Sequence, residues 1–175
     1  MIKKKILIVS RAFYPIIAPR SFRATELAKE FARKGHEVTV LTHKRDYDYT
    51  SFSNEHNIII KDFVLGNWKE IKGFSYIKKG IKFILNYFFL YPDIQLTSLV
   101  KKSLKKAGRY DLLISIAVPY PVHWGVALAI ERKKDLCNVW VADCGDPFMG
   151  NKELKFGMPF YFRYVENWFC KKPDY

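Results

Sequence analysis

Four consecutive apolar residues, Ile6 to Val9, open the pattern of this chain. A strand that is apolar at every position is one buried on both faces, as in a parallel sheet. Beyond a loop from Arg11 to Pro19 the period changes. Ala24, Leu27, Ala28, Phe31 and Ala32 recur at helical spacing, while Lys29, Glu30, Arg33 and Lys34 take the wet side, which predicts a helix from about Ser21 to Lys34. Gly35 stands where a left-handed C-cap is wanted, and "EVTVLT" returns to a strand. Strand, helix and strand in so short a length make a right-handed βαβ unit, and hence a parallel sheet.

The alternation continues. A third strand is expected in "NIIIKDFVL", followed by a basic and aromatic stretch from Trp68 to Tyr91 that Pro92 interrupts. A helix from about Ile94 to Lys106, a strand from Tyr110 to Ser115, a helix in "PYPVHWGVALAIERKK", a strand in "NVWVAD" and an amphipathic helix in "MPFYFRYVENWFCKK" complete the chain. No internal repeat or low-complexity linker divides it, so residues 1–175 read as a single domain. The fold class is α/β: a Rossmann-like, doubly wound, mostly parallel sheet with helices on both faces. In such sheets ligands bind at the carboxyl ends of the strands, where the strand order reverses. An order of 3-2-1-4-5 puts that crevice between the first strand and the strand at Leu112. It brings together the loop Arg11 to Arg20, the segment Ala117 to Trp124 and the loop after "NVWVAD".

Charge narrows the partner. With 30 Lys+Arg against 17 Asp+Glu, the formal net charge is +13, which favours an anionic partner. Nucleic acid is not expected, because no RNP1 segment or helix-turn-helix pattern accompanies the charge. Cys137, Cys144 and Cys170 are widely spaced with no C-x-x-C, so reduced thiols of a cytoplasmic protein are expected, with no disulfide framework and no metal site. The first apolar run is too short for a secretory signal, and "FILNYFFLY" is far short of the roughly 20 residues of a membrane-spanning helix. Peripheral contact with the inner face of the cell membrane stays open. Lys72, Lys78, Lys79 and Lys82, mixed with Trp68, Phe74, Tyr76, Phe83, Tyr87, Phe88 and Tyr91, suit an anionic membrane interface. They equally suit a core helix with a wet lysine edge.

The candidate chemistry lies at the crevice. Neither a G-x-G-x-x-G fingerprint nor a P-loop follows the first strand, which argues against a standard dinucleotide or NTP site. The helix beginning near Ser21 still offers free N–H groups and a positive dipole end, to which Arg11, Arg20 and Arg23 add charge-assisted phosphate contacts. The alternative is that these arginines are solvated surface. Asp143 and Asp146 in "VADCGDPF" lie at a strand end, where a carboxylate can orient or deprotonate a sugar hydroxyl. Equally, an Asp before Pro147 serves well as a turn cap. His123 sits in a first helical turn near the switch point, where a lone histidine is more often structural. His36, after Gly35, reads as structural too, and Lys101-Lys102 and Lys105-Lys106 as a solvated helix face.

Four segments in order carry a resemblance. "KILIVSRAFYP" with "RSFRATELAKEFARKGHEVTVLT", then "YDLLISIAVPYP", "VWVADCGDPF" and "YVENWFCKKPDY", resemble the N-terminal, acceptor-side domain of glycosyltransferase family 4 enzymes. The corresponding family segments are a strand, an F-x-P loop and "eLAkeLakrGHeVtVlT", then "yDvIisssPPlp", "wVlDvRDlW" and "lErwlyrrAD". The stretch from about Asp46 to Gly108 matches weakly. The resemblance implies the N-terminal half of a GT-B fold, ending before its last strand, with the C-terminal donor-binding domain and its E-x7-E motif absent. It implies a retaining, metal-independent transferase that needs no cofactor and moves a sugar from a nucleotide-sugar to a lipid-linked or cell-surface glycan. The 175-residue segment alone would then be inactive. A non-catalytic membrane-surface or interaction domain of the same fold is the alternative.

Carried onto this chain, the resemblance makes Asp146, the second Asp of the family's D-x-R-D-x-W pattern, the catalytic group. Arg11, Pro15, Arg20, Arg23, Pro119, His123 and Asp143 are the expected acceptor or phosphate site, with Asp143 at the strand end also expected to fix the turn. Two departures matter. Many members carry Gly-Gly in the first loop, where Ala18-Pro19 stands here, and Pro19 has no N–H to offer. Gly145 stands where related sequences often have Arg, so a charge expected beside Asp146 is missing.

Overall fold

The computed structural model describes residues 2–63, 76–145, 149 and 158–175. Five strands, β1 (Lys5–Ser10), β2 (Glu37–Thr42), β3 (Ile58–Asp62), β4 (Tyr110–Ile116) and β5 (Cys137–Asp143), form one sheet in the order β3-β2-β1-β4-β5. Every pairing is parallel, and Ile8 stands level with Val40 on one side and Ile114 on the other. The helices among the described residues are α1 (Pro19–Arg33), α2 (Thr50–His56), α3 (Tyr76–Phe89), α4 (Gln95–Lys105), α5 (Pro121–Arg132) and α6 (Phe162–Phe169). This is the α/β, Rossmann-like doubly wound arrangement, with its switch point between β1 and β4.

The all-apolar central strand has the role its composition dictates. Successive side chains of β1 point to opposite faces, so Ile6 and Ile8 enter one core and Leu7 and Val9 the other. The first core is covered by Ala24 and Ala28 of α1 and Phe52 of α2. The second is larger and is built from α4, α5 and α6, with Leu96, Val100, Val126, Trp140 and Phe169. The helix α1 ends with the expected glycine: Gly35 has φ +84°, and its neighbour His36 donates to the Phe31 carbonyl at 3.1 Å. Gly125 serves packing instead. A Cβ there would lie 2.6 Å from the Val100 Cβ and 2.9 Å from the Thr97 carbonyl oxygen, so α5 approaches α4 as closely as its backbone allows.

Two boundaries differ from the sequence expectation for a stated reason. The helix α1 starts at Pro19 rather than near Ser21, because proline is pre-set for the first helical turn and loses no hydrogen bond there. The helix α2 lies where no helix is expected, since "TSFSNEH" holds the single large apolar residue Phe52 and so has no readable period. At the other end of the chain, Asp174 and Tyr175 run along β5. The Asp174 N–H donates to the Trp140 carbonyl at 2.9 Å, and the Ala142 N–H to the Tyr175 carbonyl at 2.8 Å.

Candidate functional site

The site is assembled by the segment between β1 and α1. Phe13, fully buried, pins the loop, and the Tyr14 N–H donates to the Thr25 hydroxyl at 3.1 Å. Ala18 is extended at the N-cap position, the first turn of α1 has no side-chain cap, and it carries no acidic residue. Its positive dipole end is therefore not offset by a carboxylate of its own first turn.

Each arginine faces a different part of the crevice rim. Arg23 places one guanidinium nitrogen between both carboxylate oxygens of Asp143, at 2.6 and 2.7 Å, and so joins α1 to the end of β5 across the switch point. Arg11 pairs with Asp93 at 2.7 Å, which ties the β1 loop to the segment between α3 and α4. The carboxyl of Asp93 is raised above its usual range, first by burial, with Arg11 acting in the opposite direction. Arg20 lies over Gly145. That glycine has φ +67°, and a Cβ built on it would run into the Arg20 guanidinium. The space that a side chain at position 145 would enter is thus taken by a guanidinium from the first turn of α1. Three loops from β1, β5 and the α3–α4 junction are brought together in this way.

The remaining candidates are placed differently. Asp146 lies outside the described residues; the chain leaves β5 through Cys144 and Gly145. Pro15 lines a groove of about 430 Å³ between the β1 loop, α1 and α2, beside Tyr14, Ile17, Phe22 and Phe52. Pro119 is buried just before α5, its carbonyl accepting from the Val122 N–H at 3.2 Å. His123 is fully buried beneath the rim. Its Nδ1 is 2.7 Å from the Ser115 hydroxyl, which also accepts from the Trp140 indole N–H at 2.8 Å. The Phe169 ring stacks on the imidazole, with centroids 5.1 Å apart and planes 10° from parallel. Burial, only partly opposed by Asp143, pushes the His123 pKa down to about 4, so the ring is neutral at physiological pH. Such a histidine fixes α5 and α6 onto β4 and β5.

The three cysteines are free thiols, and all are pushed up by burial, Cys137 to about 11, so none is an activated nucleophile. Among the described residues, no three His, Cys, Asp or Glu side chains gather as a metal site. The second concentration of cations, Lys101, Lys102, Lys105, Arg132 and Lys133, lines a groove of about 550 Å³. It lies between the carboxyl-terminal halves of α4 and α5, at the end of the sheet away from the crevice.

No protein-family model matches the chain, and no curated protein does. Among solved structures it is similar to two crystal structures of the C-terminal domain of a hydrogenase from Pyrococcus furiosus, spanning residues 78–226 and 83–215. Identities are 15% and 14%, with 82% and 81% of this chain and 95% and 94% of those chains covered, at TM-scores of 0.43 and 0.41. A likeness of that size carries no argument about chemistry, and the site rests on its own geometry.

Proposed function

We propose that the carboxyl-edge crevice is the acceptor side of a sugar-transfer cleft, in a glycosyltransferase that moves a sugar from a nucleotide-sugar to a lipid-linked or cell-surface glycan. The observation that supports this reading is Arg20 lying over Gly145, at the switch point and one residue before Asp146 in the sequence. A guanidinium so placed suits a phosphate group, of either the acceptor or the leaving nucleoside diphosphate, through paired N–H donors. Charge developing on a leaving diphosphate needs donors already aimed at it. A carboxylate a few residues on, at Asp146, suits the acceptor hydroxyl, which it would orient and whose proton it would accept.

Transfer of label from a panel of nucleotide-sugars to a lipid-extractable or polymeric product, catalysed by the protein, tests the proposal. Arg20→Ala is expected to lower kcat/KM by about 10²-fold, the scale of a lost charge-stabilising donor, with little change in melting temperature. Turnover unaffected by Arg20→Ala, or transfer from no nucleotide-sugar, would count against it.

A further inference from the structure

The helix α3 is amphipathic, yet its apolar side is not spent on the core. Ile81, Ile84, Leu85 and Phe88 fall on one stripe at spacings of three and four, and Lys79, Lys82 and Asn86 on the opposite one. A helix with this pattern normally turns its apolar stripe inward. Here Ile81, Ile84 and Phe88 of the stripe are between 43% and 53% exposed, and Phe83 and Phe89, which flank it, are exposed as well. Packing of that extent joins α4 to α5 and α1 to β1 and β2, but not α3 to any described strand or helix. Five large apolar side chains exposed on one fourteen-residue helix are more than the scattered exposure ordinary for a protein surface.

Charge says what covers it. Residues 71–92 contain Lys72, Lys78, Lys79 and Lys82 and no acidic residue. An apolar stripe with lysines on the other side and no carboxylate is complementary to a bilayer with anionic headgroups: rings and aliphatic groups enter the acyl boundary and the lysines reach the phosphates. At fourteen residues α3 is far too short to span, and no helix among the described residues is long and apolar enough to cross a membrane. The helix therefore fits a position in the plane of the interface.

We infer that α3 is an in-plane membrane-docking helix, specific for anionic phospholipid surfaces, and that its docking brings the crevice to the bilayer. The second half rests on the connection at its end. The chain leaves α3 at Phe89 and within four residues reaches Asp93, whose carboxylate holds Arg11 of the β1 loop at 2.7 Å. A bilayer that seats α3 thereby meets the carboxyl edge of the sheet. An acceptor with a lipid tail and a phosphate near its head would present the phosphate to the arginines while the tail stays in the membrane. Lipid docking itself stands on the surface of α3 and requires no sugar transfer.

Vesicle flotation of the full chain tests the docking directly. Binding to mixed phosphatidylglycerol–phosphatidylcholine vesicles is expected, falling with added salt, with much weaker binding to pure phosphatidylcholine. Ile84→Glu with Phe88→Glu should abolish binding, and Lys79→Gln with Lys82→Gln should weaken it about 10-fold or more. All four positions are exposed, so circular dichroism and melting should be unchanged, which separates lost docking from lost folding. Equal binding to neutral vesicles, no binding at all, or binding indifferent to Ile84→Glu and Phe88→Glu would overturn the inference. So would concentration-dependent self-association without lipid that Ile84→Glu removes, since a second copy would then be the occupant. Sugar transfer measured separately with a water-soluble acceptor keeps the two proposals apart: docking can fail while transfer persists, and the reverse.

Discussion

Arg23 holds Asp143 by both carboxylate oxygens, at 2.6 and 2.7 Å, across 120 residues of sequence and across the point where the sheet order reverses. The pair closes one side of the crevice: it fixes the second turn of α1 against the end of β5. The Arg23 side chain is 45% exposed, so the attraction is screened and the contribution belongs to the range of surface pairs rather than buried ones. Arg23→Met, which keeps the stem and removes the cation, is expected to lower the unfolding free energy by about 1 kcal/mol. The loss should shrink when urea denaturation is repeated at high salt. A variant as stable as the wild type at low salt would show that the pair orders the rim without stabilising the fold.

The buried imidazole of His123 makes stability depend on pH. Unfolded, it titrates near 6.5; folded, burial holds it at about 4. Between these values the unfolded chain binds a proton that the folded chain refuses, so stability falls as pH falls. The contribution is complete above about pH 6.5 and is lost on the way down through pH 4, amounting to roughly 3 kcal/mol at most. Carboxylates titrate at the lower end of the same window, so the imidazole must be followed itself. Nitrogen chemical shifts of the His123 ring should report a neutral imidazole down to about pH 5, and a folded-state midpoint near 6.5 would refute the assignment.

Gly125 sets two tendencies against each other. Glycine inside a helix is worse than alanine by about 1 kcal/mol, so Gly125→Ala would stabilise an isolated α5. The atoms that the new methyl meets are the Val100 Cβ at 2.6 Å and the Thr97 carbonyl oxygen at 2.9 Å, and neither can rotate away. Pushing α4 and α5 apart costs about 1–3 kcal/mol in a well-packed core. Overpacking wins: Gly125→Ala should lower the melting temperature, and a rise would mean that the two helices slide apart freely.

The alternation of apolar runs and helical periods made the sheet legible, because a strand buried on both faces has a simple signature. The run Ile6 to Val9 and the segment "EVTVLT" carry it, and the switch point follows from the strand order. The helix α2 was not legible, since Phe52 alone fixes it to the core through contacts with Phe13 and Tyr14 that are remote in sequence. The site was legible in the same partial way. Topology assigns the arginines to the crevice rim, but nothing local pairs Arg11 with Asp93 or seats Arg20 over Gly145. Nor does local sequence show that His123 is sealed beneath Phe169, a ring 46 residues further along the chain. Such relations arise from packing, which no spacing encodes.

The two aspartates of "VADCGDPF" are predicted to part in function. Asp143 has its carboxylate engaged by Arg23, and its backbone carbonyl accepts from the Ala117 N–H at 3.0 Å, continuing the ladder between β4 and β5. A group held on both counts has little freedom to accept a proton from a substrate. Asp146 comes three residues later in the sequence, next to the glycine under Arg20. A group that takes the acceptor proton must come within about 2.6–3.2 Å of the hydroxyl, and its loss typically costs about 10²–10⁴-fold in rate. On the proposed sugar-transfer reading, Asp146→Asn should therefore lower kcat by ~10²-fold or more with the melting temperature nearly unchanged. Asp143→Asn should instead lower stability by about 1 kcal/mol, by removing the partner of Arg23, while retaining most of the activity of the molecules that stay folded. Steady-state kinetics and thermal melts on the two variants decide the matter. Asp143→Asn abolishing turnover in a fully folded protein, with Asp146→Asn active, would exchange the two roles.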